Sequence, residues 1–563
     1  MFDYIIRNGL IVDGLGNPGK VGDLGISNQS IAEIGQIKEG GKNEIDATGL
    51  VVAPGFIDPH THYDAQITWD PFASCSSWHG VTSLIFGNCG FGIAPCRPGS
   101  QNFLMRLLSR VEGIEMNALQ KGIHWDFETY PQYLAMIEKQ GIWVNVSGFI
   151  GHSVLRQFVM GEKAWTDKAN EAELTAMENI VYEAMLGGAV GISTSTHKSH
   201  IGDDGSPIPS RVASREEIIR LAKAMRRSGR GLVQISVDSS VDESGLDIVA
   251  DLARQADCPV TFGAIRFDSS QPNRHLLALQ KIDKLTAEGL RLYPQVTCWK
   301  LTIDFNLKNS TVFSRMPVWR QVLASARSEW SKIFKDPQFR ETFKSELEKI
   351  GRSFILQSKD NSMHINSVSV PSLEPLVGKT IFEVSQLIKL DPWETFFNLA
   401  IQDNEIEFKA VVLNTDEEAV ATILQHPQSL LALSDAGAHA TLLCEAGQTS
   451  HFLSRWVRER GIFSLEEGIR RITSMPADIF GISNRGRIQK GLPADLVVFD
   501  FAKISNQESE LLYDLPGNEP RLVQRANGIC WSFVNGQLLI SNGKILDHSD
   551  VPPPGMLLRP LAN

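Results

Sequence analysis

An α/β fold is the class this sequence predicts: a (β/α)8 TIM-like barrel with a small β-sandwich domain built from both chain termini. Three observations predict it. Helical and strand-like hydrophobic periods alternate through the middle of the chain, from Glu171 to Leu433, as parallel strands joined by helices require. Short strand-like runs punctuated by glycine occur before residue 54 and return after residue 486. An apolar run, Pro54-Gly55-Phe56-Ile57-Asp58, ends in Pro59-His60-Thr61-His62, placing side chains capable of chemistry where a barrel strand would reach its rim.

The bulk numbers bound the answer. A chain of 563 residues outgrows one hydrophobic core, so more than one domain is expected. The boundaries predicted are residues 1–54 with 486–563 for the β-sandwich and 55–485 for the barrel. With 42% hydrophobic and 21% charged residues the chain has enough apolar surface to fold as a globule. A formal net charge of -11 and no dense lysine or arginine stripe argue against nucleic acid or an anionic membrane as partner. A small-molecule substrate is the expectation, and homo-oligomerisation stays open. Neither a basic, apolar leader nor a bilayer-length apolar run is apparent, so a cytoplasmic location is expected. Seven cysteines without a C-x-x-C pair point to reduced thiols, one of them free to act as a ligand.

In chain order, Tyr4-Ile5-Ile6, Leu10-Ile11-Val12 and Leu50-Val51-Val52 read as strands. Ala494 to Phe499 and Ser532-Phe533-Val534 read likewise, the latter closed by the hairpin dipeptide Asn535-Gly536. Neither end has strands enough to stand alone, so the two are expected to pair. A helix is predicted from Glu171 to Met185, stopped by Gly187-Gly188 before a strand at Ala189–Ile192. Ser214 and Glu217 have capping-box spacing and open a helix to Arg227. Strands follow at Gly231–Ile235 and Pro259–Phe262, a helix from Asn273 to Glu288, and a strand at Leu290–Tyr293. Helix Glu417–Leu424 then leads to strand Leu430–Leu433. The stretch from about 305 to 375, with Trp319 and Trp330, breaks the rhythm and is expected to be a helical insertion.

His60 and His62 carry the chemistry. Residues two apart on a strand share a face, so both imidazoles would point to one place. Zinc accepts imidazole nitrogens at about 2.0–2.1 Å and leaves positions open for water and substrate. A His-x-His pair alone is common. Here it is followed by Tyr63-Asp64-Ala65-Gln66, Trp69-Asp70-Pro71, Ser77-Trp78-His79-Gly80-Val81-Thr82 and Gly87-Asn88-Cys89-Gly90. Further on come Leu433-Ser434-Asp435-Ala436-Gly437-Ala438-His439, Asn484-Arg485-Gly486 and Gly491-Leu492-Pro493-Ala494-Asp495-Leu496.

Together these segments resemble the amidohydrolase superfamily and, within it, the N-acyl-D-amino-acid deacylase branch. That resemblance implies a zinc-bearing barrel, with His60 and His62 as ligands and Cys89 as the thiolate that replaces a carboxylated lysine. It implies Asp435 as a metal ligand and the general acid/base, passing protons between metal-activated water and the leaving amine. Read alone, Cys89 could equally be a small buried thiol and Asp435 a helix cap. The sequence also departs from the branch. Where its characterised members carry two mid-barrel metal histidines, this chain has Ser236 and Ala264, and no histidine lies between His200 and His275. One zinc per chain is therefore expected.

His152, His200 and His439 are candidate replacement ligands or substrate contacts, with His439 best located, and His79 reads as structural packing. Arg266 falls where the resembled enzymes grip a substrate carboxylate, and Tyr293 where they place a tyrosine; a surface pairing of Arg266 with Asp268 is the plain alternative. The expected activity is metal-dependent hydrolysis of a non-peptide amide C–N bond. The alternatives are another reaction of the same barrel, such as cyclic-amide opening, deamination or a lyase step, or a non-catalytic relative that has lost its metals.

Overall fold

The computed structural model describes residues 1–561 apart from 203–204, 238–242, 309–312, 314–315, 351–362, 442 and 547–549, so parts of the predicted insertion lie outside the described residues. The chain forms two compact units, one of Met1–Ile265, Arg274–Cys298 and Ala421–Asn563, the other of Arg266–Asn273 and Trp299–Val420.

The first unit holds the barrel. Eight strands run parallel in the order Phe56–Asp58, Val81–Phe86, Asn145–Gly151, Gly191–Ser195, Leu232–Ser236, Val260–Gly263, Leu292–Val296 and Leu430–Leu431. The ends meet just beyond the last ladder residues, where Thr61 bridges Ala436 in parallel and the His62 N–H donates to the Ala436 carbonyl at 2.8 Å. Helices connect the strands as the alternation predicts. Helix Glu171–Gly187 opens on a capping box of Asn170 and Glu173 and stops at Gly188, whose φ of 117° only glycine adopts freely. The apolar layer inside the sheet, including Ile57, Ile85, Phe149 and Leu232, is joined by Ala477 and Phe480 from the segment after the last strand.

Both termini enter one sheet of nine strands, as pairing of the two ends predicts. Strand Leu496–Phe499 lies antiparallel to Val51–Pro54, joining a carboxy-terminal set to an amino-terminal one. The two sets share one core, in which Ile6, Leu24, Val52, Leu496 and Phe533 are buried and the rings of Tyr4 and Phe533 meet at 5.2 Å. The end of the chain departs from the predicted boundary. Met556 and Leu558 bond the backbone of Val146, so this tail lies along the third barrel strand.

The second unit is larger than the predicted insertion. It has an antiparallel sheet of Leu301–Asn306, Glu407–Leu413 and Met363–Ser367. Its core is aromatic, with Trp319 fully buried among Phe313, Phe334, Phe343 and Phe396. Arg266 belongs to this unit.

Two buried polar groups tie the first unit together. The Asn145 side chain donates to Asp495 at 2.9 Å and accepts from Asn535 at 2.8 Å and from the Met556 N–H at 3.1 Å, linking barrel, terminal sheet and tail. The second is Glu217, predicted to close a capping box. Ser214 does accept the Glu217 N–H at 3.1 Å, but the carboxylate turns inward, to His152 Nε2 at 2.9 Å and Arg156 at 2.6 Å. Burial alone would raise the Glu217 pKa, but its bonds to His152 and Arg156 outweigh burial and lower it.

Asn145→Ala should lower stability by about 2–4 kcal/mol in urea unfolding, because each buried partner left unsatisfied costs roughly 1–3 kcal/mol. Glu217→Gln should cost about 3–5 kcal/mol, because Arg156 is then buried without a counter-charge. A carboxyl with a depressed pKa stabilises the fold above its unfolded value of about 4.3, and that contribution vanishes as pH falls through the folded value. Melting curves below about pH 4.3 should therefore converge for wild type and Glu217→Gln; a constant gap would contradict this.

Candidate metal centre

Three ligand atoms converge at the carboxyl end of the barrel. His60 and His62 follow the first strand on either side of Thr61, whose N–H bonds the Ile85 carbonyl, while the His62 N–H bonds the Ala436 carbonyl. The two rings lie 5.2 Å apart, edge to face. Cys89 stands in the turn after the second strand with φ 60°, a left-handed conformation unusual for a residue with a side chain. Every residue of that turn is anchored: Gly87 N–H to Asp64, Asn88 to the Thr61 and Ile85 carbonyls, Cys89 N–H to Gln234, Gly90 N–H to Ser193. Gly87 is required, since a Cβ there would lie 2.4 Å from the Phe149 carbonyl oxygen.

The ligand atoms of His60, His62 and Cys89 lie within 4.8 Å of one another, the one such group of three among the described residues. Cys89 Sγ is 3.5 Å from His60 Nε2, and Asp435 Oδ1 is 3.3 Å from His60 Nε2 and 3.9 Å from His62 Nε2. Asp435 does not cap a helix. It lies with Leu433 and His439 in a run of left-handed residues at φ 44°, 67° and 53° respectively. The loop passes so close to the ligand segment that a Cβ on Gly437 would come within 2.8 Å of the His62 carbonyl oxygen.

The outer ring nitrogens explain why both Nε2 atoms face inward. Gln295, on the seventh strand, accepts from His60 Nδ1–H at 2.8 Å, and Glu112 lies 3.0 Å from His62 Nδ1. Gln295 fixes the His60 tautomer that leaves Nε2 as the lone-pair atom, and the Glu112 carboxylate lies within ion-pair distance of the outer nitrogen of His62. Burial opposes charge on His62, yet the Glu112 carboxylate and the hydrogen bonds of Cys89 and Glu112 outweigh it and raise its pKa well above the ordinary range. For Cys89, burial likewise opposes ionisation, and the neighbouring charges and hydrogen bonds of His60 and His62 lower the thiol to about 7. Two inward imidazole nitrogens, a readily ionised thiol and carboxylates on either side form a donor set suited to a divalent cation.

The Ser236 hydroxyl, at a position where the second set of histidines was expected to be missing, donates to Cys89 Sγ at 3.1 Å. Leu232, Gln234 and Ser236 alternate onto one strand face, the first in the apolar layer and the other two against Cys89.

The remaining candidates divide. His439 Nε2 is 4.0 Å from Asp435 Oδ2 and about a third exposed, at the mouth. His200 bonds Ser195 at 2.7 Å; burial first, then the charges of His197, His62 and His439, push its pKa well below the ordinary range. His152 is turned away, with both ring nitrogens taken by Thr194 at 2.8 Å and Glu217 at 2.9 Å. Tyr293 is on the correct strand but one layer from the site, with Arg291 and Asp478 as its neighbouring charges; Gln295, two residues later, reaches His60. His79 is packing, its nitrogens bonded to Ser450 and the Gln524 carbonyl at 2.9 Å each. Glu112 was not anticipated. Its signal was an acid four residues after Leu108 on the buried stripe of helix Gln101–Glu112, where a hydrophobe belongs.

Known proteins resemble this chain along nearly its whole length. The amidohydrolase family profile matches residues 43–331 and 363–546. D-aminoacylase of Alcaligenes xylosoxydans xylosoxydans is 27% identical over 555 residues, covering 95% of this chain and 94% of its own. Among solved structures, N-acyl-D-glutamate deacylase of Bordetella bronchiseptica, complexed with zinc and a phosphonate mimic of the tetrahedral intermediate, superposes with a TM-score of 0.68 at 23% identity, covering 99% of each chain. A D-aminoacylase structure, of an enzyme described as activated by one metal and attenuated by a second, superposes at 0.67 with 22% identity over 99% of this chain and 100% of its own. By the extent of the family match and the full-length relationship, the chain belongs to the amidohydrolase family, on its D-aminoacylase branch, and is a hydrolase of carbon–nitrogen bonds other than peptide bonds.

Proposed function

We propose that this chain hydrolyses the amide bond of an N-acylated amino acid using a single zinc ion held by His60, His62 and Cys89, with Asp435 as a further ligand and the general acid/base. The observation that carries the reading is the convergence of three ligand atoms within 4.8 Å, with Asp435 Oδ1 3.3 Å from one of them. A divalent cation supplies a Lewis acid that polarises the amide carbonyl and lowers the pKa of water to about 7. Asp435 accepts the proton released as water adds to the carbonyl carbon and delivers it to the amide nitrogen, so that the C–N bond breaks to a free amine. His200 and His439 form the wall that receives the substrate. D-aminoacylase is described as activated by one metal and attenuated by a second. Ser236 and Ala264 in place of metal histidines suit a chain that holds one metal rather than two. N-acyl-D-amino acids are the proposed substrates, by likeness to D-aminoacylase.

Metal analysis of the purified protein should find about one divalent ion per chain, and removal by a chelator should abolish hydrolysis that returns with zinc. Asp435→Asn, still metal-loaded, should lower kcat by about 10²–10⁴ with a panel of acyl-D-amino acids. Full activity in that variant, or hydrolysis confined to cyclic amides, would overturn the reading. Glu112→Gln should weaken metal affinity by about 10–100-fold, measured by competition with a chromophoric chelator, while leaving the fold intact by circular dichroism.

A further inference from the structure

Beside the metal centre, two thiols meet on a pocket wall. Cys75 precedes the turn Ser76–His79 and Cys444 lies a few residues before helix Gln448–His451; their sulfurs are 3.9 Å apart although 369 positions separate them. Both line a pocket that also includes Asp435, Tyr63, Trp69 and Leu522. Cys75 is buried and Cys444 partly exposed. Four other cysteines, Cys96, Cys258, Cys298 and Cys530, each donate to a backbone carbonyl instead.

The surroundings hold the pair in place and polarise it. Arg521, on the hairpin strand Glu519–Val523, is clamped by two 2.8 Å bonds to Asp514 and donates to the Ser74 carbonyl at 2.9 Å and hydroxyl at 3.0 Å, one residue from Cys75. The same strand donates through the Leu522 N–H to the Ala440 carbonyl at 2.6 Å. The Cys75 hydrogen bond, ahead of opposing burial, holds the Cys444 thiol below its ordinary range, helped by the Ala446 N–H and the Arg521 charge. Cys75 is pushed well up by its bond to Cys444 and by burial. Cys444, the more exposed of the two, is the sulfur that a small oxidant in the pocket reaches first, and Cys75 is buried behind it.

We propose that Cys75 and Cys444 form a reversible oxidation site, in which a hydroperoxide converts the two thiols into a disulfide on the wall of the pocket beside Asp435. Cys444 sulfur attacks one peroxide oxygen and the O–O bond breaks. The leaving oxygen takes the thiol proton, so sulfur is oxidised to sulfenic acid and the peroxide reduced to an alcohol, or to water when the oxidant is hydrogen peroxide. Cys75 sulfur then displaces the sulfenic hydroxyl, which leaves with the Cys75 proton as water, and the S–S bond forms. Closing from contact distance to a bond of about 2.05 Å asks roughly 2 Å of combined movement. A dithiol returns both residues to thiols by exchange. The site borders the proposed hydrolytic centre, but its test does not rest on that reading.

The full-length, metal-loaded protein is treated with hydrogen peroxide, its remaining thiols are alkylated, and non-reduced digests are mapped by mass spectrometry. The expected result is a linked Cys75–Cys444 peptide pair, two hydrogens lighter than the separate peptides, that reverts to two alkylatable cysteines after dithiothreitol. In Cys75→Ser, dimedone should label Cys444 instead. Full alkylation of both residues after peroxide, or passage of Cys444 to sulfinic acid without a bridge, would overturn the proposal. Should Cys75→Ser fail to fold, the wild-type map alone decides.

Discussion

The outer nitrogens of His60 and His62 are the constraint on which the centre depends. An imidazole offers a lone pair on only one nitrogen at a time, and which one is set by what the other nitrogen bonds. Gln295 holds His60 from the seventh strand and Glu112 holds His62 from the helix after the second, so both Nε2 atoms turn toward Cys89. Neither histidine could do this from the strand period alone, which chooses a face but not a ring orientation. The two supports differ in charge. A neutral amide behind His60 orients the ring, whereas a buried carboxylate behind His62 also adds negative potential that a cation would offset.

Barrel closure completes the set. Thr61 bridges Ala436, and Ser434 reaches back to Asp58 at 2.6 Å and to the His60 carbonyl at 3.1 Å, so the loop after the eighth strand is stitched to the ligand segment of the first. Asp435 sits between those stitches. Its left-handed backbone, and the glycine two residues on that passes against His62, are local strain of the kind found where a side chain must be aimed rather than merely accommodated.

Much of this was legible in the sequence. Parity placed His60 and His62 together, the family resemblance of Gly-Asn-Cys-Gly marked Cys89, the alternation of periods gave the barrel, and the shortage of strands at each end gave the pairing of the termini. What stayed hidden has physical reasons. The resemblance singled out Tyr293, and nothing in a strand's period marks Gln295, two residues on, as the residue whose depth brings it to His60. Spacing that suits a cap cannot reveal that a carboxylate has a stronger buried demand, so Glu217 read as half of a capping box while its charge was spent on Arg156 and His152. Glu112 reaches His62 only through tertiary packing, and the extent of the second unit followed from long-range strand pairing, which no local pattern carries.

Ser236 is the most informative departure. Its hydroxyl donates to Cys89 Sγ where the resembled enzymes were expected to carry a histidine, and the proposed function assigns that sulfur to a single cation. X-ray absorption spectroscopy of the zinc-loaded protein tests that claim most directly. The account predicts one sulfur scatterer at about 2.3 Å with imidazole scattering near 2.0 Å, and loss of the sulfur shell in Cys89→Ser. A spectrum without sulfur, or with a metal–metal vector at about 3.5–4 Å, would contradict it.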